Sequence, residues 1–354
     1  GRIQGRTAIK GTVSKIRDGY VIASESIDKY DEIVFLKQRE DDYVVQVDDK
    51  KYTTIMGALE DIQANKTIVV LKDFSITEKT IFDKDTILDL NGKTITNKYF
   101  KIENNAKLQI TDLTDNQEGT LKSINTNYAI YNNKGANLEI INGNIISDNS
   151  GGLRNYEEGK IVINGGRLEA TLSFKNIMSE GTVIINGGTI KNDKNGTVIE
   201  NVNGYIEITG GELTMDTAWP YRGYVIKNSK GKVEIKGGKI NGGSNCTIYN
   251  DNELNIENCT IASRTWCGVS TWNSYPFTTT IENSGVTEIK SGTIQFSGYV
   301  MNRGEIGKGA CITNDGTLKV WGGSIESRGE SDGSDVCGIY NRSSAAVTII
   351  RSRK

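Results

Sequence analysis

Asp216, Glu305, Glu330, Asp332 and Asp335 are acids carried by three of four long segments in the second half of the chain. Two carboxyl groups held at a defined separation would serve glycoside cleavage, one as acid and one as base or nucleophile. No spacing in the sequence fixes such a pair. The four segments hold Trp219, Tyr221, Trp266, Trp272, Tyr275, Phe277, Phe296 and Tyr299, with Arg222, Asn273, Arg303 and Arg328 beside them. Flat rings with hydrogen-bonding edges suit hydroxylated ligands such as glycans. Trp219, Tyr221, Arg222, Trp266, Trp272, Tyr275 and Arg303 are therefore the candidate ligand-binding residues. The competing reading is that the rings pin these loops to their scaffold, since loops of this size need packing of their own.

Other chemistries are narrowed by what the chain lacks. It has no histidine, which removes His-based general bases, His-activated nucleophiles and His-ligated metals. The five cysteines, Cys246, Cys259, Cys267, Cys311 and Cys337, include no C-x-x-C pair, so zinc and thioredoxin-like chemistry are not expected. Buried structural thiols are the simplest reading, and any disulfide pairing among them stays open. Glu330, Asp332 and Asp335 offer hard oxygen ligands for calcium, but an acidic loop rich in Gly and Ser is ordinarily just solvated. No catalytic residue, metal or cofactor is assigned. With 42 basic and 44 acidic residues, nothing favours nucleic acid, and no run of 18 apolar residues predicts membrane insertion.

The scaffold is a repeat. Asparagines two residues after an apolar residue recur at Asn132, Asn155, Asn176, Asn201, Asn228, Asn250, Asn283, Asn314 and Asn341. The first eight are each followed 11 to 14 residues later by an apolar anchor: Ile145, Leu168, Ile190, Leu213, Ile240, Ile261, Ile294 and Ile325. Length varies only between an anchor and the next Asn, so all long excursions leave one edge. Within the rigid block lies an alternating strand, as in Lys160-Ile161-Val162-Ile163 or Thr317-Leu318-Lys319-Val320, and then a glycine turn such as Asn164-Gly165-Gly166. Leucine-rich repeats would need a Leu-x-x-Leu-x-Leu spacing that is missing. The expected fold is all-β, a right-handed parallel β-helix of about ten coils over residues 51–354, rising about 50 Å at the usual strand spacing. Stacked asparagines would form an amide ladder. Thr54 caps a short amphipathic helix through Ile55, Ala58, Leu59 and Ile62 that closes the first coil, and residues 1–50 form a small β-rich leader. The lysines 227, 230, 232, 236 and 239 read as a solvated coil face.

The stretch Tyr52 to Asn97 carries Ala-Leu-Glu-Asp-Ile, Thr-Ile-Val-Val-Leu-Lys-Asp and Leu-Asp-Leu-Asn-Gly-Lys-Thr-Ile, and Asn-Gly-Gly-Thr-Ile type repeats follow it. It resembles the pectin-lyase-like right-handed β-helix regions of Gram-positive bacterial surface proteins. That resemblance, spanning Tyr52 to the C-terminus, implies a secreted or cell-surface structural or adhesive module whose partner is a host or environmental glycan or surface protein. The same fold also hosts polysaccharide lyases and hydrolases, which would use loop carboxylates here. Their best-known motifs are missing: a Gly-His-Gly element needs histidine, and Arg-x-Pro-x-x-Arg does not occur around Pro220 or Pro276. The chain lacks a cell-wall sorting motif and ends at Arg351-Ser352-Arg353-Lys354 inside an expected coil, which reads as a fragment or a helix that continues.

Overall fold

Alternating strands and glycine corners build the expected solenoid. The computed structural model describes residues 13–17, 20–23, 42–171, 174–193, 196–215, 223–242, 246–263, 266–267, 277–297, 299–300, 308–328, 330–331, 335–342 and 344–350. Among these, three parallel sheets wrap a parallel β-helix of about ten turns. A ladder sheet of eleven strands runs from Thr80–Phe82 to Asp335–Asn341. An anchor sheet, also of eleven strands, runs from Phe74–Ile76 to Ser324–Ser327. A cap sheet of fourteen strands begins at Lys50–Tyr52 and Val45–Val47 and ends at Ala346–Ile349. Val13–Arg17 and Tyr20–Ala23 form a separate antiparallel pair.

The N-terminal end is closed as its sequence implies. Helix Ile55–Asp61 starts at Thr54, whose hydroxyl accepts from the Gly57 N–H at 3.0 Å, and buries Ile55, Ala58 and Leu59. Val45–Val47 pairs antiparallel with both Lys50–Tyr52 and Lys66–Val70, the one place where the cap sheet departs from parallel order. An antiparallel turn and a helix thus cover an edge that would otherwise offer unpaired N–H and C=O groups to another chain.

The eight anchors lie in one file of the anchor sheet, each directly beside the next from Ile145 to Ile325. A matching file on the ladder sheet, Ile130, Leu153, Ile177, Ile199, Ile226, Ile248, Ile281 and Ile312, is fully buried. The two files face each other across the lumen, so burial of β-branched and leucine side chains supplies the cohesion of every turn.

The amide ladder is present, with two changes from the sequence reading. Asn104, Asn132 and Asn155 hand amide protons upward, Asn155 onto Ser179, and a second run links Asn201, Asn228, Asn250, Asn283, Asn314 and Asn341, with contacts of 2.7 to 3.1 Å. Asn176 is not a rung. The register places Ser179 between Asn155 and Asn201, and Asn176 donates instead to the carbonyls of Leu168 and Lys191 in the anchor sheet. Ser179 has one hydroxyl proton, spent on the Gly181 carbonyl, so the ladder breaks above it. Asn104 escapes the pattern because the insertion Asp112–Gly119 lengthens its block. That insertion is folded around Asp112, whose carboxylate accepts from Gly92, Thr114 and Gly119.

The lysines read as one face are split between sheets. Lys232, in the cap-sheet strand Lys232–Ile235, and Lys236, just after it, join a network with Glu207, Glu234, Glu253 and Tyr205, while Lys227 lies on the ladder sheet. Hydrogen bonds from Lys236 and Lys232 take the Glu234 carboxyl down to about 2. Every charge of that network has a partner, which marks it as a solvated structural patch.

Candidate functional site

A strand sends successive side chains to opposite faces, so the residue before each inward rung of the ladder points outward. On the ladder sheet that rule produces one external file through Glu103, Tyr131, Arg154, Met178 and Glu200. It continues through Lys227, Tyr249, Glu282, Thr313 and Tyr340. A second external file beside it carries Tyr128, Lys175, Thr197 and Tyr224. Together they make a stripe of rings and charges along the axis, one coil every ~4.8 Å.

Its lower part is a packed group of rings and cations. Lys101 Nζ stands 4.4 Å from the centre of the Tyr131 ring, and Tyr128 meets that ring edge-on at 5.7 Å. Arg154 lies 4.5 Å over Tyr156 and ion-pairs Glu180 at 2.5 Å, with 8% of its surface exposed. Lys79 and Lys101 both hold Glu103, at 2.8 and 2.6 Å. Burial pushes the Tyr128 hydroxyl up to about 12, so it stays a neutral donor, here toward the Met178 sulfur at 3.1 Å.

The middle is an ion triplet. Glu200 sits between Lys175 at 2.5 Å and Lys227 at 2.9 Å. Burial alone would raise its carboxyl, but hydrogen bonds from the two lysines bring it below the ordinary carboxylate value. Tyr224 and Tyr249 follow, with ring centres 5.8 Å apart.

Glu282 differs from the other acids of the stripe. It has no ion pair among the described residues, and burial raises its carboxyl above the usual range, with Arg342 opposing and Asp315 adding to the shift. Arg342 is engaged with Asp315 at 2.5 Å. A carboxyl raised in the folded state binds its proton more tightly there than in the unfolded chain. Stability therefore falls as pH rises from the ordinary carboxyl value through the raised one, and the loss persists above it. Glu282→Gln is expected to raise the unfolding midpoint at pH 7 and to leave it nearly unchanged at about pH 3.5, where the wild-type carboxyl is protonated in both states. Equal midpoint shifts at both pH values would show that burial of the charge is not the cause.

The long excursions border this stripe, because each joins an anchor strand to the next ladder strand. Three of them pair with one another as a small parallel sheet of Trp266–Cys267, Tyr299–Val300 and Glu330–Ser331, with Trp266 beside Tyr299 and Tyr299 beside Glu330. Successive excursions therefore stack on one side. Of the candidate binding residues, Trp266 has its backbone in that sheet, while Trp219, Tyr221, Arg222, Trp272, Tyr275 and Arg303 lie outside the described residues, as do Asp332 and the side chains of Glu330 and Asp335.

The cysteines fall where the repeat places them. Cys246 and Cys337 lie in the outward file of the ladder sheet, and Cys259 aligns with the corner residues Gly238 and Gly292. Cys246, Cys259, Cys311 and Cys337 are free thiols, the first three buried. Burial raises the Cys259 thiol to about 12 and the Cys311 thiol to about 11, which keeps both protonated and unreactive at neutral pH.

The stripe was overlooked in the sequence although its signal is simple: it is the middle residue of each apolar-x-Asn motif. Tyr128, Tyr224, Lys227, Tyr249 and Tyr340 are its half-buried members, whereas Glu103, Tyr131, Arg154 and Glu200 are buried against their partners. No described helix is long and apolar enough to cross a membrane. Comparison with family models, curated proteins and solved structures returns no match to the chain.

Proposed function

We propose that this chain is a structural and adhesive module, secreted or displayed on a bacterial cell surface, that binds a glycan along the outside of the ladder sheet and its bordering loops. The observation that carries the reading is the axial line of rings and hydrogen-bonding charges from Tyr131 to Tyr249. Sugars stack on ring faces and take hydrogen bonds at their edges, and a linear chain of them is long and narrow like the stripe. A rigid solenoid suits display because its length is set by coil number. The likeness of Tyr52–Asn97 to pectin-lyase-like helices of Gram-positive surface proteins supports the placement at a cell surface.

Affinity electrophoresis in gels containing homogalacturonan, hyaluronan, xylan or mixed-linkage glucan tests this reading. The wild type is expected to be retarded by at least one of them, and the double variant Tyr131→Ala/Tyr249→Ala to lose roughly tenfold or more in affinity while staying folded. Unchanged retention by the folded double variant would discard the stripe as the binding face.

A polysaccharide lyase or hydrolase is the second reading, and Glu282 favours it. A carboxyl that burial makes hold its proton more tightly, with the nearby Asp315 adding to the shift, has a property of a general acid. New reducing ends or unsaturated products from the same polysaccharides, absent with Glu282→Gln, would replace the adhesin reading with this one.

A further inference from the structure

Tyr99 stands at the corner between the anchor strand Thr94–Lys98 and the ladder strand Ile102–Asn104. Its φ is +69°, a left-handed conformation that costs a bulky residue free energy, and its side chain is 72% exposed. The register Lys98, Ile124, Asp148 makes Asn125 and Asn149 its equivalents in the next two coils. Those corners are left-handed too, with φ of +54° and +51°, and asparagine is the side chain that tolerates this conformation best after glycine. The two asparagines are joined by a 2.6 Å amide bond, a short external ladder that stops at Tyr99.

The surroundings impose the conformation. The buried Asn97 amide donates to the Phe100 carbonyl at 2.9 Å, Phe100 packs on the core, and the Tyr99 N–H donates to the Ile124 carbonyl. The corner is fixed from both sides, so the Tyr99 ring contributes little to holding it. A tyrosine there forgoes both the relaxed backbone and the next rung, and leaves its ring in water. Two residues on, Lys101 reaches over Tyr131, which places Tyr99 at the edge of the lower ring cluster. The long loops leave that same edge in later coils, but here the corner is only three residues, Tyr99 to Lys101.

We propose that Tyr99 is a ligand-contacting ring, a platform on which a sugar residue stacks where the glycan passes the N-terminal end of the stripe. This rests on the glycan reading of the ladder-sheet face. In the stacked position, the ring face meets the sugar and the phenol hydroxyl is left at its rim. The strain at the corner is tolerated because the neighbouring coils over-determine the backbone.

Tyr99→Asn separates stability from binding. It is expected to raise the unfolding midpoint by about 1–3 °C, through a relaxed corner and one more amide rung. In electrophoresis through whichever of homogalacturonan, hyaluronan, xylan and mixed-linkage glucan retards the wild type, it is expected to weaken retention roughly three- to tenfold. Tyr99→Phe should leave the midpoint unchanged and keep most of the retention. Undiminished retention with Tyr99→Asn, in an assay where Tyr131→Ala/Tyr249→Ala abolishes it, would overturn the role of Tyr99 alone. A lowered midpoint would overturn it too, by showing the ring to be structural. Absence of retention by the wild type in all four gels, or retention insensitive to Tyr131→Ala/Tyr249→Ala, would remove the underlying reading and this one with it.

Discussion

Replacing Asn228 with Ala is expected to cost about 2–4 kcal/mol of stability. The side chain is fully buried, accepts from the Asn201 amide at 2.9 Å, and donates to Asn250 Oδ1 at 2.8 Å and the Glu253 carbonyl at 3.0 Å. Truncation removes all three bonds and opens a gap in a close-packed stack. The two neighbours are not equally hurt. The Asn201 amide keeps the Gly204 and Lys232 carbonyls at 3.1 and 3.3 Å, whereas Asn250 Oδ1 keeps only the Asn252 N–H at 3.4 Å. Loosening should therefore spread toward the C-terminal side, because each coil of a solenoid is held mainly by its two neighbours. Chemical denaturation measures the total. Amide hydrogen exchange locates it, with faster exchange expected in Cys246–Asn250 and Glu253–Ile256 than in Thr197–Asn201. Asn228→Ser supplies the contrast, since Ser179 is a natural rung of that kind: it keeps one partner and should cost less than Ala. Equal costs for Ala and Ser would mean that cavity volume, and not the lost hydrogen bonds, sets the effect.

The fold was legible because it depends on two short-range regularities, period-two strands and a glycine corner, that every coil repeats. Asn176 shows where that reading fails. It satisfies apolar-x-Asn through Phe174, yet the register sets Ser179 in the rung, and only the neighbouring strands carry that information. Cys259 is a second case. A residue with a Cβ stands in a glycine corner because the left-handed turn has moved back one position to Asn258, at φ +48°. The external stripe was not legible for a different reason. Aromatic residues concentrated in long loops are conspicuous in a sequence, whereas Tyr131, Arg154, Glu200, Lys227 and Tyr249 are scattered singly and form a surface only when coils stack. Their position beside an inward Asn was the available clue. Glu282 was likewise invisible, since its raised carboxyl depends on burial and on Asp315 from a later coil, against an opposing Arg342.

Gly166→Ala should be the more damaging substitution, at about 2–5 kcal/mol. Gly166 has φ +75°, and a Cβ built on it would stand 3.0 Å from the Asn142 carbonyl carbon and still closer to the Gly143 carbonyl oxygen. That oxygen cannot retreat freely, because it accepts the Arg167 N–H at 3.0 Å. The Gly166 carbonyl in turn accepts the Thr189 N–H at 2.9 Å, so a shift at one corner disturbs the coil above as well as the coil below. Gly135→Ala isolates the conformational part of the cost. Gly135 has nearly the same φ, +74°, but no atom within 4 Å of the Cβ it would gain, so only the left-handed strain of about 1–2 kcal/mol should appear. Equilibrium denaturation of the two variants side by side reads the difference as the steric price of stacking one corner on another. Closely matched values would show that adjacent coils separate easily at this corner, contrary to the tight axial spacing on which both the amide ladder and the external stripe depend.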